Sequence, residues 1–136
     1  MKNKLKLQII LPVKAKKIYS AWLDSLEHSA MTGGSTAIID PRIGGKFSAW
    51  DGYIFGVTLK LEPFHNIEQS WRTTEFPQNV PDSHLEVRFK EMNNETIITL
   101  IHTNLPENQV DDYQKGWEDF YFKPMQTYFS GSDKKY

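Results

Sequence analysis

The stretch ENQVDDYQKGWEDFYFKPMQTYF, residues 107–129, decides the fold. Its apolar side chains recur at helical spacing, which predicts one long helix with a single aromatic face. A helix of this length is roughly 35 Å long, enough to cross a small domain. A helix face with this many aromatic side chains needs a broad apolar surface to pack against. The predicted face consists of Val110, Tyr113, Trp117, Phe120, Tyr121, Pro124 and Tyr128.

Two residues within this stretch qualify the predicted helix. Gly116 lowers the helix propensity, and we expect it to allow a close approach between the helix and its neighbour. Pro124 has no backbone N–H, so we expect the helix to kink or restart within residues 120–123.

The chain upstream of this helix supplies the apolar surface as a succession of short strands. Residues 4–11 alternate between apolar and polar side chains, which is the period of a half-buried strand. Residues 15–26 then change to a helical period, and residues 24–32 form a second short helix that ends at Gly33-Gly34. Further strands are predicted at residues 36–40, 46–50, 53–61, 67–74, 83–91 and 96–103.

The turns between these strands set the topology. Asp51-Gly52 predicts a two-residue hairpin, after which we expect Tyr53, Phe55, Val57, Leu59 and Leu61 to face inward. Consecutive hairpins require an antiparallel sheet. The fold class is therefore α+β: an antiparallel sheet of about seven strands, with helices after its first and last strands.

Length and composition bound the possible functions. A chain of 136 residues is the size of one domain, residues 1–136, with a polar tail at 131–136 that we expect to be frayed. The net charge of −1 gives no field that would recruit nucleic acid or an acidic membrane. The absence of cysteine fits a reducing compartment. With neither a signal peptide nor a membrane span in the sequence, we expect a soluble cytoplasmic protein.

The polar residues predict neither a metal site nor a catalytic centre. The histidines His28, His65, His84 and His102 are scattered over a helix, a turn and two strands, with no ligand spacing among them. The adjacent carboxylates at 111–112 and 118–119 diverge on a helix, so we expect them to face water. We predict no catalytic residue, no metal and no cofactor.

The aromatic residues carry the strongest functional signal. Most of them are expected to pack as a core, but a sheet curled around one helix also leaves space between the two. We predict a cavity bounded by Trp71, His102, Trp117 and Tyr121 that binds an apolar ligand with one polar end. The small or polar inward residues Gly56 and Gln69 would leave this space unevenly filled.

His102 is the polar residue of most interest in this set. It faces inward if Thr96, Ile98 and Leu100 do, although Ile97 and Ile101 are equally apolar and leave the strand's orientation open. Inside a cavity its imidazole can orient a ligand or act as a general acid or base. A lone inward histidine is more often a core residue with both nitrogens satisfied.

The ordered motifs resemble a known family. They are LDSLEHSAMTGG (23–34), IDPRIGGKFSAWDGYIFGVTLKLEPFHNIEQSWR (39–72) and GWEDFYFKPMQTYF (116–129). The chain is similar to homologues of the activator of the heat-shock protein 90 ATPase, and in particular to the activator's C-terminal domain. This resemblance implies the START-like (SRPBCC) helix-grip fold, in which the sheet curls around the last helix and encloses an apolar cavity. Full activators carry a further N-terminal domain, for which 136 residues leave no room.

Three functions stay open at this point. The first is a non-enzymatic module that binds a small hydrophobic ligand. The second is a co-chaperone type of protein-interaction domain that contacts a heat-shock protein 90 homologue. The third is an enzyme of the cyclase or hydratase type, which would need two convergent titratable groups inside the cavity.

Overall fold

The computed structural model describes residues 3–134, with side chains as far as Ser130. The strands are β1 (Leu5–Leu11), β2 (Ile38–Ile39), β3 (Lys46–Ala49), β4 (Ile54–Glu62), β5 (Asn66–Thr73), β6 (Ser83–Met92) and β7 (Glu95–Thr103). The helices are α1 (Ala15–Trp22), α2 (Ser25–Met31), α3 (Val110–Gly116) and α4 (Lys123–Lys134). A 3-10 turn at Glu107–Gln109 precedes α3, and a π-helical segment at Trp117–Phe122 joins α3 to α4.

The sheet has seven strands in the order β1-β7-β6-β5-β4-β3-β2, and every neighbouring pair is antiparallel. The first strand therefore pairs with the last, and β1 and β2 form the two edges. This arrangement confirms the predicted α+β class, a curved antiparallel sheet with a long C-terminal helix. On β5, Gln69 and Trp71, both expected to face inward, are buried together with Ile67.

The helix pair divides earlier than the sequence predicts. The side chain of Asp24 accepts a hydrogen bond from the Glu27 backbone N–H over 2.9 Å and so starts α2 as an N-cap. α1 therefore ends at Trp22, and Leu26, the last residue of the helical period predicted for residues 15–26, is 83% exposed. The N-terminus of α1 is weakly capped, because Lys14 makes no side-chain cap.

Up to its irregularity at Thr58–Lys60, strand β4 has the opposite orientation from the one predicted; beyond it Leu61 pairs with the buried Ile67 and packs against the core, as predicted. Ile54 and Thr58 face the core, whereas Phe55 is 38% and Leu59 is 46% exposed. The alternating pattern points to the wrong face here, because Thr58 is buried, where its hydroxyl accepts a hydrogen bond from Gln69. The preceding turn also differs, because Ala49 pairs with Ile54 and leaves a loop of residues 50–53 in place of a two-residue hairpin.

The C-terminal helix changes its inward face at the π-helical segment. The Lys123 N–H bonds to the carbonyl of Glu118, five residues back, which is the π pattern. The extra residue in this turn moves the buried positions along by one. Phe120, predicted to be buried, is 55% exposed, while Phe122, Met125 and Phe129 are buried in its place.

The break predicted at residues 120–123 thus takes the form of a π turn directly before Pro124. This is physically reasonable, since a proline cannot donate the next helical hydrogen bond. The helix continues to Lys134, so the tail expected to fray from residue 131 is helical that far. Residues 135–136 lie outside the described range.

Candidate aromatic cleft

A cleft of about 290 Å³ lies between the β3–β4 turn, the neighbouring parts of β4 and β5, and the helix where α3 meets the π segment. Two of its lining residues, Asp112 and Phe120, are exposed, and they mark where the cleft reaches solvent. The remainder of the wall is largely aromatic. The lining residues are Trp50, Tyr53, Ile54, Trp71, Asp112, Tyr113, Gly116, Trp117, Phe120 and Tyr121.

The cleft brings together three of the residues that the sequence singled out. Trp71, Trp117 and Tyr121 line it, with the Trp117 ring 5.8 Å from that of Trp71 and 4.6 Å from that of Tyr121. His102 is completely buried but is not among the lining residues. Sequence reasoning missed Trp50 and Tyr53, which flank the Asp51-Gly52 turn, a position that could have drawn attention to them.

Gly116 is the helical residue that leaves space for the cleft. Its backbone has φ −62° and ψ −44°, ordinary helical values that any residue adopts. Apart from its chain neighbours and the adjoining backbone of its own helix, no described atom lies within 4 Å of the position that a Cβ would take. The close approach that we expected at Gly116 is therefore absent, and the missing side chain opens onto the cleft.

Gly56 and Gln69, which we expected to leave a gap, lie in filled regions. A Cβ on Gly56 would collide with the Ser70 carbonyl on β5, so this glycine allows two strands to approach closely. Gln69 is buried, accepts a hydrogen bond from the Trp22 indole over 3.4 Å and donates one to the Thr58 hydroxyl over 3.1 Å. The space lies beside Gly116 instead.

His102 belongs to a hydrogen-bonded chain in the core. The Trp117 indole N–H donates to His102 Nδ1 over 3.1 Å, so we assign the ring proton to Nε2. His102 Nε2 then donates to the Ser83 hydroxyl over 2.8 Å, and that hydroxyl donates to the Trp71 carbonyl over 2.7 Å. Burial lowers the pKa of His102 to about 3, so the ring is neutral at physiological pH.

A second buried histidine, His28, holds the hydroxyl of Tyr121. His28 Nδ1 donates to the Trp22 carbonyl over 2.9 Å, which leaves Nε2 to accept the Tyr121 hydroxyl proton over 2.8 Å. Burial lowers the pKa of His28 to about 4 and raises that of Tyr121. Sequence reasoning had no signal for this pair, because the two residues are 93 positions apart.

The other two tyrosines that line the cleft also have their hydroxyl protons engaged. Tyr113 donates to Gln109 Oε1 over 2.7 Å, and Tyr53 donates to Glu75 Oε1 over 3.1 Å. Burial raises the pKa of both groups, which are therefore protonated at neutral pH. The tyrosines thus serve as apolar walls with fixed polar tips.

Trp50 differs from these aromatics in that its buried Nε1 makes no hydrogen bond of good geometry with any described residue. The indole N–H lies near the Tyr121 hydroxyl, where it opposes the rise that burial causes in the pKa of that group. Trp50 also has a left-handed backbone with φ 53°, a conformation that costs free energy in a bulky residue.

The charge of the cleft comes from a single residue, since Asp112 is the only Asp, Glu, Lys or Arg among the described lining residues. A larger depression of about 850 Å³ beside α1 is more open, and Lys14, Lys16 and Lys17 lie along it. We regard the smaller cleft as the functional candidate because its walls are aromatic and its polar groups few.

The described part of the chain lacks two further features. Within residues 3–134, no three His, Asp or Glu side chains are grouped so that they could hold a metal ion. Over the same range, no helix is both long and apolar enough to cross a membrane.

Comparison with known proteins identifies relatives by sequence. The profile of the family described as "Activator of Hsp90 ATPase homolog 1-like protein" matches residues 12–130. An activator of 90 kDa heat shock protein ATPase homolog from Dictyostelium discoideum is 30% identical over 95 residues, which are 67% of this chain and 24% of that protein. An uncharacterized protein of Schizosaccharomyces pombe is 26% identical over 115 residues, which are 85% of this chain and 34% of that protein. The chain thus spans about a third or less of these relatives.

Solved structures share the fold. An HSP90 activator from Plasmodium falciparum superposes with a TM-score of 0.82 at 23% identity, over 95% of this chain and 96% of that one. The Aha1 dimer from Colwellia psychrerythraea gives a TM-score of 0.78 at 14% identity, over 94% of this chain and 97% of that one. At these identities the likeness extends to the fold alone.

Proposed function

Because the chain belongs to the family of activator of Hsp90 ATPase homolog 1-like proteins, we propose that it is a helix-grip module that binds a small apolar ligand. The ligand occupies the cleft between the sheet and the C-terminal helix. The cleft is formed by aromatic side chains that bury much of their surface elsewhere and turn a rigid face toward the space.

One observation carries this proposal, namely Gly116 at the wall of the cleft. Glycine inside a helix costs about 1 kcal/mol relative to alanine, and neither backbone conformation nor crowding requires it at this position. A residue that weakens the helix but leaves open space beside Trp71 and Trp117 is what a binding site needs.

The size of the cleft sets the scale of the ligand. A volume of about 290 Å³ equals roughly ten water molecules at ~30 Å³ each, which suits a compact bicyclic compound. A probe of about twelve heavy atoms, at about −0.4 kcal/mol per atom, would bind with about −5 kcal/mol, or Kd on the order of 0.1–1 mM. The physiological ligand, with better complementarity, is expected to bind more tightly.

The polar groups of the cleft favour binding over catalysis. An acid–base mechanism needs two titratable groups that converge on one substrate. The described lining offers one carboxylate, Asp112, together with tyrosine hydroxyls that are bonded elsewhere. His28 and His102 each use both ring nitrogens in the core.

A titration with 1-naphthylmethanol, followed through the tryptophan indole N–H signals in a nitrogen-15 NMR spectrum, tests the proposal. Trp50, Trp71 and Trp117 line the cleft, while Trp22 is buried outside it and serves as an internal control. Saturable shifts at the three lining tryptophans, larger than at Trp22, are expected. Shifts that are absent, or equal at all four, would refute a ligand site here. Mass spectrometry of molecules retained by the purified protein would then identify the natural ligand.

A second candidate function is docking on a heat-shock protein 90 homologue, which the names of the relatives suggest. The observation that favours it is an exposed apolar surface on the outer face of the sheet. Ile38, Ser48 and Phe55 are neighbours across β2, β3 and β4, and Ile38 is 66% exposed. Leu59 extends this outer sheet face along β4.

The docking candidate is tested by stimulation of the ATPase of a purified heat-shock protein 90. Phe55→Asp and Leu59→Asp are expected to abolish any stimulation by the wild type. Leu26→Asp is the matched control, since Leu26 is 83% exposed but lies on α2 and not on the sheet. A wild type without effect, or an equal loss in the control, would argue against docking through the outer sheet face.

A further inference from the structure

We propose that the ligand of the cleft carries a methylated ammonium group, which is held at the mouth of the cleft by aromatic rings and by the Asp112 carboxylate. This inference rests on the proposed ligand-binding function and names the chemical class of the ligand. The apolar body of the ligand lies inside, beside Gly116, and its cationic end faces the mouth.

The charge at the mouth favours a cation. Asp112 is exposed, and its carboxylate is the only formal charge among the described lining residues, which include no lysine or arginine. This carboxylate makes no hydrogen bond or ion pair with any other described side chain. The next lysine along the helix, Lys115, instead contacts the carboxylate of Asp119 over 3.7 Å. Asp112 therefore keeps its charge available to a ligand.

The walls at the mouth are aromatic. Phe120 is 55% exposed, and Trp50 and Tyr53 are half-buried, so a ligand at the mouth can contact their rings. The rings of Trp50 and Phe120 meet with centroids 5.5 Å apart and planes at 68°, and they form two walls of one corner. The face of an aromatic ring carries negative electrostatic potential and attracts a cation within about 6 Å of its centroid. Several such rings beside a carboxylate suit a quaternary or methylated ammonium group.

The C-terminal helix places the carboxylate next to the open space. Asp112 and Gly116 are four residues apart on α3, so they lie on one face of the helix, about 6 Å from each other. Because residue 116 has no side chain, nothing on that turn separates the carboxylate from the cleft. A ligand whose apolar body fills the space beside Gly116 thus has its cationic end within reach of Asp112.

Methylation suits the ammonium group to this site. A primary ammonium has three N–H donors to satisfy, whereas the tyrosine hydroxyls of the lining are bonded to His28, Glu75 and Gln109. Methyl groups need no acceptor and pack against the rings. The volume of about 290 Å³ lies at the lower end of the range for pockets that hold drug-sized ligands. The ligand is therefore a small molecule and not a lipid with long acyl chains.

Benzyltrimethylammonium and 2-methyl-1-phenyl-2-propanol test the inference, because they have nearly the same shape and only the first is charged. Binding is followed through the indole N–H signals of Trp50, Trp71 and Trp117, with Trp22 as the internal control. Wild-type protein is expected to bind the cation roughly tenfold more tightly than the alcohol.

Two variants separate the contributions of charge and ring. Asp112→Asn should lower the affinity ratio of cation to alcohol by roughly two- to fivefold. Asp111→Asn is its control, because this adjacent carboxylate does not line the cleft. Phe120→Leu keeps an apolar side chain at an exposed position but removes the ring face, and it should lower the ratio by roughly two- to fivefold. Unchanged indole signals in the unliganded variants would show that the fold is intact.

The outcomes separate this inference from the proposed function. A cation that binds no more tightly than the alcohol, or a ratio that either Asp112→Asn or Phe120→Leu leaves unaltered, overturns the inference. Binding of 1-naphthylmethanol would still support the proposed function in that case. Failure of every probe to bind, 1-naphthylmethanol included, overturns both.

Discussion

The Trp117 indole N–H donates a hydrogen bond to His102 Nδ1 over 3.1 Å. This contact joins the centre of the C-terminal helix to β7, next to the sheet edge formed by β1. Trp117 is 3% exposed and His102 is completely buried, so the bond is shielded from water. One face of Trp117 thus completes the core while another part of the ring lines the cleft.

Trp117→Ala is expected to reduce the free energy of unfolding by about 3–5 kcal/mol, because it leaves a large cavity and an unpaired His102 nitrogen. Urea melts measure this value. Phe120→Ala, an aromatic truncation on the same helix at a 55% exposed position, should cost less than about 1 kcal/mol. A cost below about 1 kcal/mol for Trp117→Ala would mean that its ring does not anchor the helix.

The buried histidines make stability dependent on pH. Burial lowers the pKa of His28 to about 4 and that of His102 to about 3, below the ~6.5 of an unfolded histidine. The native state therefore favours the neutral rings, and their contribution is complete above about pH 6.5. It is lost as the pH falls toward 4 and 3, at about 1.4 kcal/mol per pH unit for each histidine.

Urea melts between about pH 5 and 7 measure that dependence. His102→Gln, which retains polar atoms in the core, should reduce the slope by the share of one histidine. His65→Gln alters an exposed residue, in contact with water whether the chain is folded or not, and should leave the slope intact. Equal slopes in all three proteins would contradict the assignment of neutral buried rings.

The sequence predicts much of this core and fails at identifiable points. The alternation of β7 leaves the orientation of His102 open, and the structure resolves it, since His102 is buried together with Thr96, Ile98 and Leu100. The partners of His102 were beyond prediction, because Ser83 comes from β6 and the Trp117 position depends on the π turn. Periodicity cannot reveal one extra residue in a helix.

The cleft is likewise only partly predictable from the sequence. Trp71, Trp117 and Tyr121 are recognisable as inward aromatics, but whether aromatics fill a space or surround it is set by tertiary packing. The place of Trp50 in the cleft wall does not follow from the sequence, because its turn is longer than Asp51-Gly52 suggests. A glycine inside a helix is compatible with a close approach to a neighbouring element or with open space beside it. The sequence does not distinguish the two, and the structure shows open space beside Gly116.

Tyr121→Phe is expected to cost about 1–3 kcal/mol of stability, because it leaves the buried His28 Nε2 without its donor. Tyr53→Phe removes a hydroxyl whose bond to Glu75 is exposed to water and should cost less than about 0.5 kcal/mol. Thermal or urea unfolding of the two variants compares them directly. Equal costs would argue against the buried His28–Tyr121 bond.

Gly116→Ala is expected to stabilise the protein by about 0.5–1 kcal/mol, since the backbone is helical and the methyl group meets open space. Urea melts with an unchanged denaturant slope would show this as a rise in the midpoint. A loss of stability would mean that the helix approaches its surroundings more closely at residue 116 than the structure indicates.

The most direct test of ligand binding in the cleft is the affinity of Gly116→Leu for 1-naphthylmethanol, measured beside wild type and Gly116→Ala. A leucine side chain would occupy the space next to Trp71 and Trp117 without displacing the helix. The account predicts that Gly116→Leu folds with at least wild-type stability and loses at least tenfold in affinity, with Gly116→Ala in between. Undiminished binding by stably folded Gly116→Leu would contradict it, because the ligand would then lie elsewhere.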